Sequence, residues 1–111
     1  MKKANPVFPK RLKVGSLVYE IRVSPRAEFS ADQLGDIIYE QLLIRISADV
    51  HPKVKATVLL HEVLHAASYT RLFDQSTPDK SPEQIIESIE FSLFSILREN
   101  PEVVKYILEA E

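Results

Sequence analysis

The chain has 111 residues, of which 45% are hydrophobic and 27% charged, with a formal net charge of −2. A length of this order is that of a single domain, 1–111, with no room for separate catalytic and regulatory domains, and the composition is that of a globular rather than a disordered protein. The absence of cysteine excludes a disulfide framework, a thiolate nucleophile and every cysteine-based zinc site, so a metal site must draw on His, Asp or Glu.

Residues 1–10 contain two prolines and read as a loose lead-in. Lys2, Lys3, Lys10, Arg11 and Lys13 precede any acidic residue, whereas 83–111 carries seven acids against Arg98 and Lys105. No aromatic interleaving or nucleic-acid motif accompanies the basic arm, so a solvated arm and no nucleic-acid partner are expected. The start lacks the apolar core of a signal peptide, and no run approaches the ~18 apolar residues of a membrane span. A cytoplasmic protein without membrane contact is the expectation.

Arg11 to Val14 and Leu17 to Val23 roughly alternate apolar and polar residues about Gly15-Ser16, which predicts a β-hairpin. After a polar connection, Leu34 to Tyr39 and Leu42 to Ile46 read as a second pair of short strands, although a helix from Asp32 to Ile46 also fits. At Asp49-Val50-His51-Pro52 the period changes. Pro52 suits a first helical position, and the helix should run to about Tyr69, with Ala56, Leu59, Leu60, Val63, Leu64, Ala66 and Ala67 as its aliphatic arc. A polar loop, 70–80, follows. Ser81-Pro82-Glu83-Gln84 then supplies an N-cap, a first-turn proline and a capping-box Gln for a second helix to about Glu99. Ile85, Ile86, Ile89, Leu93, Ile96 and Leu97 form its expected core stripe. Asn100-Pro101 repeats the signature for a short helix through Leu108, with Val103, Val104, Ile107 and Leu108 apolar. The fold class is α+β: a small antiparallel sheet of three to four strands on a central helix, a second long helix and a short last one.

The sharpest feature is His61-Glu62-Val63-Leu64-His65, the H-E-x-x-H pattern, in the middle of the central helix. Spacing i, i+4 puts both imidazoles on one face, within reach of one tetrahedral zinc, and Glu62 beside them can hold and deprotonate a water. Chance produces the pattern on the order of once in 400 chains of this length. A catalytic zinc needs a third protein ligand. Ser68 and Arg71 stand where a metzincin has its Gly and third His, which rules that class out. Glu83, Glu87 and Glu90 share a stripe of the second helix, with Asp74 and His51 as outsiders, and geometry ranks Glu87 and Glu90 level. Phe91 and Phe94 flank Glu87, so this side of the helix should also be covered. Asp36, Asp49 and Asp74 are candidates to orient the imidazoles.

The run Leu59 to Ala66 around this motif, an alternating strand before it and an acidic helix ending in Leu97-Arg98-Glu99-Asn100-Pro101 resemble the small phage and prophage zinc metallopeptidase-like proteins. More distantly they resemble the ImmA/IrrE class of gluzincin-type metallo-endopeptidases. The resemblance covers about residues 11–108 and implies a third ligand on the helix after the motif, followed four residues later by a large residue, which Glu87 with Phe91 matches. It implies a zinc-dependent peptidase with Glu62 as general base and a protein or peptide as substrate. Tyr69 or Tyr39 could donate to the developing oxyanion, and strand 42–46 could be the sheet edge on which an extended peptide adds. The alternatives are a catalytically silent metal-binding domain that acts as a partner-binding or regulatory phage protein, and a scaffold without metal.

Overall fold

The computed structural model describes residues 5–72 and 81–111. β1 (Arg11–Val14) and β2 (Leu17–Ser24) form the expected hairpin, with Gly15 taking the left-handed φ of 60° that the turn requires. β3 (Gly35–Ile38) and β4 (Leu43–Ser47) form a second antiparallel pair, so the strand reading of 34–46 holds over the helical one.

The sheet is mixed rather than wholly antiparallel, in the order β1-β2-β4-β3, because β4 inserts beside β2 in parallel. From β2 the chain passes a 3-10 turn at Arg26–Glu28 and lays down β3 on the far side. It then returns through a second turn at Tyr39–Gln41 and a left-handed Leu42 at φ 51°. One expectation is corrected here. Residues 43–47 are interior, hydrogen-bonded on both sides and covered on both faces, with Leu43, Ile44, Ile46 and Ser47 all buried; the edge strands are β1 and β3, and β3 is the one beside β4.

α1 (Pro52–Leu72) is the central helix and extends into the stretch expected to be loop; the rest of that loop, with Asp74, lies outside the described residues. The His51 ring accepts the Lys53 backbone N–H at its Nδ1, 3.1 Å away, and so caps the helix start. Ala56, Leu59, Val63, Ala66 and Ala67 pack on Tyr19, Ile21, Ile44 and Ile46 of the sheet to form the core. Leu60 and Leu64 are exposed instead, because each turns about 100° from the core-facing residue before it.

α2 (Pro82–Glu99) begins with the expected capping box: Ser81 Oγ accepts the Gln84 N–H at 3.2 Å and Gln84 Oε1 accepts the Ser81 N–H at 2.9 Å. It meets the core through its C-terminal half, where Ile96 is buried, Leu93 packs against the core and Ser92 Oγ donates to the Ala67 carbonyl at 2.7 Å. Ile85, Ile86 and Leu97, expected inside, are exposed, and Phe91 and Phe94, expected to be covered, are 73% and 59% exposed.

α3 (Pro101–Glu109) buries Val103 and Tyr106, while Leu108 faces solvent. The buried Asn100 between α2 and α3 accepts the Lys13 N–H at 2.7 Å and donates to the Lys13 and Ile96 carbonyls at 2.8 Å, tying the helix junction to β1. Among the described residues no helix is long and apolar enough to cross a membrane.

Candidate metal centre

His61 and His65 stand one turn apart on the face of α1 away from the core, their ring centroids 4.6 Å apart and their Nε2 atoms 3.0 Å apart. Two imidazole nitrogens this close cannot both carry protons toward each other. Either one donates to the other, or both lone pairs converge on a cation. A tetrahedral zinc with N distances near 2.0–2.1 Å separates its nitrogens by about 3.3–3.4 Å, so the pair needs to open only slightly. Burial, and next the neighbouring His61, lowers the His65 pKa and favours the neutral ring that ligates metals.

Glu62 follows the opposite logic. It is 3% exposed, and burial first and the Asp36 charge second push its carboxyl up to about 7. Its oxygen, with one nitrogen from each histidine, forms a group whose ligand atoms all lie within 4.8 Å of one another, close enough to hold a metal ion.

The edge strand can lie this close to α1 because position 35 is glycine. A β-carbon there would sit 2.6 Å from Val58 Cγ1, 2.9 Å from the Arg45 carbonyl oxygen and 3.4 Å from Glu62 Oε2. Next to it, Asp36 is held by Arg45 from the opposed position of β4, with Nε donating to Oδ1 at 2.9 Å. Arg45 also lies 3.6 Å from Glu28 and 5.1 Å over the Phe29 ring. Asp36 therefore reaches the centre through its charge on Glu62. Asp49 accepts the Arg26 N–H at 3.4 Å.

Tyr69, one turn beyond His65, stacks on Tyr39 from the end of β3, with centroids 4.0 Å apart and planes inclined by 17°. Burial, then the Glu62 charge, then Tyr69 raise the Tyr39 pKa, so this hydroxyl stays protonated and within the field of the carboxyl. Tyr19 joins the cluster, raised by burial first and then by Tyr39 and Tyr69.

The structure brings together His61, Glu62 and His65, with Tyr39 within the field of Glu62 and Tyr69 stacked on Tyr39. It places Glu87 and Glu90 exposed on α2, outside the three-residue group, and His51 at the helix start. Gly35, Arg45 and Tyr19 were not singled out from the sequence. Gly35 had a signal: it is one of only two glycines, inside an apolar strand, where glycine marks close backbone approach. Chemically the group can hold a metal ion and offers a buried carboxyl that exchanges a proton near neutrality. No protein-family model matches the chain, and searches of curated proteins and of solved structures found no match.

Proposed function

We propose that the chain is a small metal-dependent peptidase in which His61 and His65 hold zinc and Glu62 is the general base. The observation that carries this reading is the pair of Nε2 atoms 3.0 Å apart beside a buried carboxyl raised to about 7. A zinc ion bound there supplies a Lewis acid for a carbonyl oxygen and lowers the pKa of water. Glu62 takes the proton of the attacking water and returns it to the amine nitrogen as the peptide bond breaks. Tyr39 and Tyr69 supply hydroxyls toward the developing oxyanion. The edge strand β3, in place of 43–47, is the strand on which an extended peptide adds. His61 and His65 are two of the three protein ligands that a catalytic zinc needs; among the described residues no acid of α2 joins their group, and Glu87, which the resemblance implies as the third, lies about 180° around the helix from the core-facing Ile96.

A second reading is favoured by the closeness of all three donors: Glu62 ligates as the third residue, and the centre is a silent metal site in a partner-binding or regulatory protein. Glu62→Gln separates the two. In the peptidase the variant keeps its metal and loses hydrolysis of a peptide library; in the silent centre it loses metal. Hydrolysis unchanged by Glu62→Gln would overturn the proposed mechanism. Glu87→Ala should keep its metal, and loss there would bring the α2 acid into the site.

A further inference from the structure

We propose that α2 is the interface of a homodimer in which two copies of this chain pair their α2 helices antiparallel about a twofold axis. The occupant is set by the order of side chains on the outer face. Glu87, Phe91, Phe94 and Arg98 recur at steps of four, three and four residues, so they fall within a stripe about 60° wide. The stripe points away from the core-facing Ile96, and both phenylalanines are mostly exposed.

Read from either end, acid, aromatic, aromatic and base make a self-complementary set. In an antiparallel pair with its axis between Ser92 and Leu93, Glu87 meets Arg98 of the partner subunit and Phe91 meets Phe94 of the partner subunit. The twofold generates each contact twice, as an isologous interface requires. The same helix run parallel would oppose Glu87 to its own copy and Arg98 to its own copy. In the isolated chain the Arg98 guanidinium lies 5.6 Å over the Phe94 ring, next to the position that a partner carboxylate would take. The pairing also covers apolar surface that the fold leaves open.

A helix of 18 residues is about 27 Å long. One such pair buries less than the about 1,200–2,000 Å² of a stable specific interface, so the dimer should dissociate on dilution.

The test is sedimentation equilibrium of the full chain across a concentration series, with circular dichroism to confirm that each variant keeps its helices. The wild-type mass should rise from 12.7 kDa toward twice that value. Arg98→Glu and Glu87→Arg should each raise the dimer Kd at least about tenfold by opposing like charges, and the double exchange should bring it back toward wild type. A mass of 12.7 kDa through about 500 μM would overturn the proposal and leave this face to a different protein. So would a Kd unmoved by either single variant, which places the contact elsewhere, or a folded double variant as weak as the singles.

Discussion

Gly35 on the edge strand and Glu62 on the central helix approach so closely that a β-carbon on the glycine would lie 3.4 Å from the carboxylate oxygen. The same β-carbon would meet Val58 and the Arg45 carbonyl below 3.0 Å, and the latter is backbone that cannot rotate away. Gly35→Ala should therefore push β3 from α1 at a cost of about 1–3 kcal/mol, read as a lower midpoint in urea unfolding. An unchanged midpoint would show that the strand does not sit this tightly.

The metal-free protein should lose stability as pH rises through neutrality. Glu62 has a folded pKa of about 7, above its ordinary 4.5, so between these values the folded state binds more protons than the unfolded one. Stability from this group is complete at low pH and falls by up to about 2–3 kcal/mol by pH 8. Glu62→Gln removes the penalty: with chelator present it should be more stable than wild type at pH 8 and show no such gain at pH 5. His65 acts in the other direction, because its lowered pKa reduces stability as pH falls below about 6.5. Equal urea midpoints for wild type and Glu62→Gln at pH 8 would contradict the burial of an ionised carboxylate.

Asn100 carries three hydrogen bonds at a buried junction. Asn100→Ala leaves the Lys13 N–H and carbonyl unpaired and should cost about 2–3 kcal/mol. Denaturant unfolding checks this, and a loss below about 0.5 kcal/mol would mean that water reaches those groups.

If the stacked tyrosines serve the oxyanion, Tyr39→Phe or Tyr69→Phe should lower kcat by about 10²-fold with metal content unchanged. A change confined to KM would assign the pair to substrate binding.

Local chemistry was the legible part of this chain. Ser81-Pro82-Glu83-Gln84 announces its capping box, Pro52 its helix start, and His61, Glu62 and His65 fall together because one helical turn relates the histidines. Strand order was not legible, since nothing in the alternation of Leu43 to Ser47 shows that it pairs in parallel with β2 and thereby leaves β3 at the edge. Helical periodicity likewise places Phe91 and Phe94 on a face without showing what lies against it. The tuning of Glu62 depends on Gly35 and Asp36, 26 residues or more away in sequence, a nearness that only the tertiary fold creates.

The most direct measurement is the metal content, by elemental mass spectrometry, of protein purified without added metal or chelator, with His61→Ala, His65→Ala and Glu62→Gln alongside. A centre built on the two histidines with Glu62 as base gives near-stoichiometric zinc in the wild type and in Glu62→Gln and none in either histidine variant. No bound metal in the wild type, even after zinc is offered at neutral pH, would contradict it and reduce the convergent imidazoles to a pair of surface side chains.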